Sequence, residues 1–211
     1  LAAIETLEKG RTTYTANSGL AALRVEITRY MERKFGLSYH PEDETLVTVG
    51  GSEAIDLCIR AFVEPGDEVL VVEPCFVAYA PIIEMMRGVP VPVETVAEES
   101  FRLTAARLRE KITKKTKLLV LPYPNNPTGG VMRKEHLEEI AEVLRGTNIM
   151  VLSDEIYAEL TYTGRHVSIA SLPGMRERTI VVNGFSKAFS MTGWRLGFAC
   201  GPAPVMKQMI K

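Results

Sequence analysis

The spacing of apolar residues along the chain changes repeatedly between the period of a helix and the period of a strand. An amphipathic helix is predicted over residues 20–35, because apolar side chains recur every three or four positions and Gly36 follows them. These side chains are Leu20, Leu23, Ile27, Met31 and Phe35. A β-branched run then predicts a strand at Thr45–Val49, which stops at two glycines before helical spacing returns over Glu53–Phe62.

The same alternation continues to the end of the chain. It predicts further strands at residues 68–72, 117–121, 149–152, 179–182 and 196–200. It predicts further helices at residues 76–87, 103–112 and 134–144, and a last helix that begins near Pro204. Several strands are almost unbroken runs of Val, Leu and Ile, which is typical of strands buried on both faces. The chain is therefore predicted to be α/β, with three α/β/α layers around a mostly parallel mixed sheet.

Composition and charge narrow the class of protein. Hydrophobic residues make up 46% of the 211 positions and no Pro-, Gly- or Ser-rich linker divides them, which predicts one folded domain over residues 1–211. The net charge of −1 disfavours nucleic acid and anionic membrane surfaces as partners. Three widely spaced cysteines, Cys58, Cys75 and Cys200, show no disulfide pattern and indicate a cytoplasmic protein. The chain begins at Leu1 without a leader, and we interpret this start as a cut.

Ligands of open α/β sheets bind beyond the carboxyl ends of the strands, so the residues after each predicted strand are candidates for chemistry. Gly50–Glu53 follow the first strand. Their glycines allow close approach of the backbone, and the helix that follows offers N–H groups and a dipole that bind phosphate or carboxylate. Taken alone, these residues also fit an ordinary strand-to-helix turn.

Polar side chains also follow two of the later strands. The loop Tyr123–Gly130 contains prolines and glycines that fix an irregular turn and present Asn126. Asp154 and Tyr157 follow the strand at residues 149–152. A buried, unpaired carboxylate is costly, so Asp154 is expected to have a hydrogen-bonding or cationic partner. On each segment alone, a simple turn or a helix N-cap remains an alternative.

Lys187 follows the strand at residues 179–182, and Arg195 comes shortly after it. An apolar neighbourhood favours the neutral amine that a nucleophile needs, although most lysines are solvated surface residues. The sequence provides such a neighbourhood in Phe185, Ala188, Phe189, Met191 and Trp194.

The strand ends must meet at one edge of one sheet, and together they predict one site. An amine, a fixed cation, an anion cradle, a carboxylate and the ring of Phe76 fit a flat, phosphorylated heteroaromatic aldehyde. The lysine condenses with the aldehyde, the cradle and Arg195 bind the phosphate, and the carboxylate keeps a ring nitrogen protonated. Pyridoxal 5'-phosphate (PLP) is such a molecule.

At this point the chain resembles the class I and II aminotransferases, a PLP-dependent family of fold type I. The resemblance covers nearly the whole chain, in family order and spacing. It rests on Tyr14…Gly19…Leu23-Arg24, Gly-Gly-Ser-Glu-Ala, Asn-Asn-Pro-Thr-Gly, Ser-Asp-Glu-Ile-Tyr and Ser-Lys-Ala-Phe-Ser-Met-Thr-Gly-Trp-Arg-Leu-Gly. It implies an enzyme that moves an amino group between an amino acid and a 2-oxo acid, and a homodimer with shared active sites.

The resemblance also implies a role for each candidate residue. Lys187 forms the Schiff base with PLP and moves the substrate proton, Asp154 pairs with the ring nitrogen, and Phe76 stacks where many members have Trp or Tyr. Asn126 and Tyr157 bind the phenolic oxygen. Tyr14 reaches the phosphate of the neighbouring subunit. The phosphate of PLP is contacted by Gly51, by the backbone groups of Ser52 and Glu53, by Ser186 and by Arg195.

Two family parts are not recognised here, the N-terminal arm and the small C-terminal domain with its substrate-binding arginine. The chain is therefore interpreted as the large PLP-binding domain alone, and we expect this fragment to be inactive. The alternatives are a PLP-dependent lyase or synthase of the same fold, such as a cystathionine β-lyase-like enzyme, and the effector domain of a GntR-type regulator. No metal site is predicted, because His40, His136 and His166 are scattered and fit surface or turn positions.

Overall fold

A computed structural model describes all residues from Leu1 to Lys211. Seven strands form a single sheet in the order β1-β7-β6-β5-β4-β2-β3. The strands are β1 (Thr45–Thr48), β2 (Glu68–Glu73), β3 (Val89–Glu94), β4 (Thr116–Leu121), β5 (Met150–Asp154), β6 (Thr179–Gly184) and β7 (Gly197–Cys200). The helices are α1 (Ala2–Glu8), α2 (Ala21–Phe35), α3 (Gly50–Phe62), α4 (Tyr79–Met85), α5 (Ala105–Lys111), α6 (Lys134–Leu144) and α7 (Ala203–Met209).

The sheet is mostly parallel, as predicted. Strands β2 to β6 pair in parallel, whereas β7 runs antiparallel to both of its neighbours, β6 and β1. The carboxyl ends of β1 to β6 therefore lie at one edge of the sheet, and the amino end of β7 lies at that same edge. This geometry brings the segment before β7 to the edge where ligands of such sheets bind.

Helices cover both faces of the sheet and give the predicted three layers. One core cluster packs α3, α4 and α7 against one face, and two further clusters pack α5, α6 and α2 against the other. Leu152 and Val151 belong to different clusters because successive side chains of a strand point to opposite faces. Gly36 ends α2 in the left-handed conformation that glycine adopts without strain.

Three elements differ from the sequence predictions. Strand β3 was not predicted, because Pro90 and Pro92 interrupt it; it lies at the sheet edge and pairs only with β2, where missing N–H donors are tolerated. Helix α1 was not predicted either, and none of its residues is buried. Helix α4 is shorter than the predicted 76–87, so Phe76 lies in the loop before it.

No helix combines the length and the apolar character that a bilayer crossing requires.

Candidate functional site

A cavity of about 220 Å³ opens at the sheet edge where the strand ends meet. Nine of the predicted site residues line it, drawn from five separate segments of the chain. They are Gly51, Ser52, Phe76, Asn126, Asp154, Tyr157, Ser186, Lys187 and Arg195. Six further residues, none of which was predicted as a site residue, also line this cleft: Ile55, Tyr79, Pro122, Pro124, Ile156 and Thr192.

Two predicted residues do not line the cleft. Tyr14 is fully exposed and lies outside it. The Glu53 carboxylate accepts a hydrogen bond from the backbone N–H of Val49, so this side chain is engaged at the start of α3. For Glu53 the expected contact concerned only its backbone group.

The start of α3 and Arg195 form one positively polarised corner of the cleft. Helix α3 begins at Gly50, three residues before its predicted start, so Gly51 and Ser52 lie in its first turn. The N–H groups of a first turn have no partner within the helix and point outward with the positive end of the dipole. The Arg195 guanidinium packs against Gly50, where a Cβ atom would lie only 2.6 Å from Nη2.

Both cations of the cleft are free of carboxylate partners. Neither Lys187 nor Arg195 takes part in an ion pair of this chain. The only side-chain hydrogen bond of Arg195 goes from Nη1 to the carbonyl oxygen of Thr192, at 3.1 Å. Unpaired cations beside free helical N–H groups form a site for an anion.

Asp154 has the partner that its burial required. Its Oδ2 accepts a hydrogen bond from the Tyr79 hydroxyl at 2.7 Å, and its Oδ1 accepts one from the N–H of Ile156 at 3.2 Å. Burial raises the pKa of the Asp154 carboxyl above its usual value, and these two hydrogen bonds oppose the shift. A cationic N–H in the cleft would stabilise the ionised form.

Lys187 lies less enclosed than predicted. Its Nζ lies 5.6 Å from the centre of the Tyr157 ring, over the ring face. The apolar neighbourhood predicted around the amine is only partly formed, because Phe189 is 50% exposed and Trp194 is 65% exposed.

The two asparagines of the loop after β4 have different positions. Asn125 is buried, and its Oδ1 accepts hydrogen bonds from the N–H and the hydroxyl of Thr128, which closes the turn. Asn126 lines the cleft and is exposed. The loop is thus both a fixed turn and a source of one free amide.

The sequence reasoning missed Tyr79 and misplaced His166. Tyr79 lies within the predicted helix 76–87, and only its position three residues after Phe76 hinted at a place near the edge. His166 was predicted at the surface or in a turn, but its side chain is only 8% exposed. His166 pairs with the buried Glu155, and no local sequence pattern predicts this pairing.

Comparisons with known proteins identify the family of this chain. A family model described as "Aminotransferase class I and II" matches residues 1–211. The chain is 54% identical over 210 residues to the "Putative aminotransferase YugH" of Bacillus subtilis, covering 100% of this chain and 54% of that protein. It is 44% identical over 208 residues to the aspartate aminotransferase of Pyrococcus abyssi, covering 98% of this chain and 54% of that relative.

Solved structures show the same likeness. The chain superposes on the aromatic aminotransferase from Pyrococcus horikoshii OT3 with a TM-score of 0.96 at 44% identity, covering 99% of this chain and 56% of that one. An aspartate aminotransferase from Thermus thermophilus, solved with maleate, gives a TM-score of 0.95 at 44% identity and covers 99% and 54%. The chain spans about half the length of the curated relatives that it matches.

Proposed function

Because this chain belongs to the class I and II aminotransferases, we propose that it is the cofactor-binding part of an enzyme that moves an amino group between an amino acid and a 2-oxo acid. The observation that supports the proposal most directly is the cleft itself. An unpaired lysine, an unpaired arginine, the first turn of a helix and a buried carboxylate all face one cavity. Relatives are named for aspartate, aromatic amino acids and N-acetyl-LL-diaminopimelate, and we propose an amino donor of these classes.

The donor set of the cleft fits PLP. The N–H groups of Gly51 and Ser52 together with Arg195 suit a phosphate dianion, and Asp154 supplies a buried acceptor for a cationic N–H. Lys187 supplies the amine that holds the cofactor. Bound PLP would supply an aldehyde that condenses with amines and a protonated ring that withdraws electrons from the amino acid.

Each side chain then has a task of its own. Lys187 takes the proton from the substrate α-carbon and returns it, a role open to an amine without a carboxylate partner. Tyr157 and Asn126 donate hydrogen bonds to the phenolic oxygen, and Ser186 donates to the phosphate. Phe76 covers one face of the ring; its own ring lies edge to face with Tyr79, at 5.8 Å between centres.

We further propose that the full-length protein is a cytoplasmic homodimer in which Tyr14 reaches the phosphate of the second subunit. Tyr14 is fully exposed, and the apolar side chains of Ile4 and Leu7 on α1 are exposed as well. Exposed apolar groups in one region favour an interface. Light scattering of the full-length parent would measure its mass, and a monomer at assay concentrations would contradict the dimer.

Reductive trapping of PLP on the full-length parent tests the site. Borohydride should fix PLP on Lys187, and the variant Lys187→Arg should take up no label. Lys134→Arg is the matched control, because Lys134 lies on the exposed side of α6, and it should be labelled like the wild type. A label mapped to Lys134 or Lys207 would show that the cleft is not the cofactor site.

Product analysis tests the reaction. The full-length parent, not treated with borohydride, should convert a 2-oxo acid into its amino acid only when an amino donor is present. Release of ammonia from a single amino acid, without need for a 2-oxo acid, would instead indicate the lyase alternative.

A further inference from the structure

The end of β5 directs neighbouring carboxylates to opposite faces of the sheet. Asp154 faces the cleft, whereas Ser153 and Glu155 point to the other face, as the alternation of a strand requires. Glu155 does not line the cleft and is fully buried. The proposed reaction gives it no direct task.

Glu155 is the centre of a buried cluster of hydrogen bonds. Its Oε1 accepts from the hydroxyls of Ser153 at 2.9 Å and Ser168 at 2.5 Å, and its Oε2 accepts from Nε2 of His166 at 2.7 Å. The Phe35 ring of α2 packs edge to face with the His166 ring, at 5.6 Å between ring centres, which closes the cluster on the α2 side. A buried carboxylate is costly unless such donors surround it, so these three donors are what allow Glu155 to be buried here.

The cluster closes the loop that brings Tyr157 to the cleft. Its bonds join the strand end at Ser153 and Glu155 to His166 and Ser168, on the far side of that loop. The backbone is fixed at the same point, because the N–H of Glu155 donates to the carbonyl oxygen of Val182 at 2.8 Å. Asp154 lies directly before this anchor and Tyr157 lies two residues after it.

We propose that Glu155 is a positioning residue: bound to His166 and Ser168 behind the sheet, it fixes the strand end so that Asp154 and Tyr157 face the cleft in a set geometry. The inference rests on the proposed function, since it assigns Glu155 to the PLP site of the same enzyme. Loss of its donors would leave the fold in place and let the segment from Asp154 to Tyr157 move. Binding of PLP weakens when the groups that hold it are no longer preorganised.

Three substitutions in the full-length parent, with a fourth as their control, separate positioning from folding. Glu155→Gln keeps the shape but leaves one acceptor oxygen for three donors. His166→Leu replaces the donor with an apolar side chain of similar size, whereas His166→Gln retains an N–H donor of similar reach. Glu159→Gln is the matched control, because Glu159 ties the same loop to α2 through the Tyr30 hydroxyl at 2.9 Å without touching the strand end.

Two measurements are made on each variant: amide hydrogen exchange of the peptide over residues 154–160 without PLP, and the dissociation constant of PLP from its visible absorbance. We expect Glu155→Gln and His166→Leu to exchange about tenfold faster in this peptide and to bind PLP about tenfold more weakly. His166→Gln should recover most of both losses, and Glu159→Gln should match the wild type. Circular dichroism checks that each variant is folded; if Glu155→Gln is not, the two His166 variants decide the outcome.

Each contrary outcome has a distinct meaning. A wild-type protein that does not retain PLP contradicts the proposed function and this inference with it. A wild type that retains PLP, beside variants whose exchange and PLP affinity match it, contradicts only the inference. Equal losses in His166→Gln and His166→Leu would show that the cluster acts by packing and would also overturn it.

Discussion

At the scale of single residues, Asp154 shows how a functional group reduces the stability of the chain that carries it. Burial raises the pKa of its carboxyl above the usual value of 3.8. Because the pKa of this carboxyl is higher in the folded state than in the unfolded state, the folded protein is more stable when the carboxyl is protonated. This contribution to the free energy of unfolding is fully present below pH 3.8 and is lost as the pH rises through the raised pKa.

Replacing Asp154 with Asn should therefore change the pH dependence of stability. The free energy of unfolding of Asp154→Asn, minus that of the wild type, should become more positive as the pH rises from about 4 to about 7. Urea unfolding of the cofactor-free protein at several pH values measures this difference. Asp56→Asn, at a part-exposed position paired with Arg60, is the control and should not show this trend. A difference that is flat or falls with pH would contradict the expected cost of the buried charge.

Tyr79 should contribute to stability through its hydroxyl, because that group donates to the buried Asp154 at 2.7 Å. Tyr79→Phe should lower the free energy of unfolding by about 1–2 kcal/mol at neutral pH, since it leaves a buried carboxylate oxygen without a donor. Tyr39→Phe provides the matched control: the Tyr39 hydroxyl is buried but has no hydrogen-bond partner. That variant should be as stable as the wild type or more so, and equal losses in both would refute the role of the Tyr79 bond. Urea unfolding at one pH is sufficient.

At the scale of elements, the direction of β7 determines the composition of the site. Because β7 runs antiparallel to β6, the chain passes along the ligand-binding edge before it enters β7, and Arg195 lies there. The start of α3 lies against the start of β7. A Cβ on Gly197 would come within 2.4 Å of the carbonyl carbon of Gly50 and 2.6 Å of the nitrogen of Gly51.

Adding a single methyl group at this contact should therefore push the starts of α3 and β7 apart. Gly197→Ala should cost about 2 kcal/mol or more in unfolding free energy, because backbone atoms must move to admit it. It should also weaken PLP binding, since the first turn of α3 shifts. Gly193→Ala adds the same methyl group where nothing lies within 4 Å, and its effect should stay within about 0.5 kcal/mol. Urea unfolding and PLP titration compare the two; a Gly197→Ala protein with wild-type values would contradict the close contact.

At the scale of the whole molecule, the chain has a seven-stranded sheet with a core on each face but about half the length of its relatives. A domain with its own core can fold alone. We expect the 211 residues to fold cooperatively. We also expect them to transaminate at least about 100-fold more slowly than the full-length parent. The family resemblance assigns the substrate-binding arginine to the small domain, and a substrate displaced by 1 Å from the reacting groups can lose that factor in rate.

Parallel assays of the 211-residue chain and of its parent, with saturating PLP and the same amino donors, measure this difference. Circular dichroism and urea unfolding of the chain provide the folding control. Turnover within tenfold of the parent would show that these residues already contain everything that the reaction needs.

The sequence by itself determined most of the elements and the identity of most cleft residues. The apolar periodicity of α2, α3 and α6 and the strands rich in Val, Leu and Ile are local signals, and each motif follows its own strand directly. A rule about strand ends was then enough to place Lys187, Asp154 and Asn126 at one edge, where the structure has them. The roles of these residues stay predictions.

Only the tertiary structure decided the rest, because it depends on pairs that are distant along the chain. The hydrogen bond from Tyr79 to Asp154, the burial of His166 against Glu155 and the exposure of Trp194 all depend on which segments pack together. Strand β3 was not predicted because its prolines disfavour a strand, and only an edge position with one partner strand tolerates them. Local patterns report what a segment favours, whereas burial and pairing are properties of the neighbours that the fold supplies.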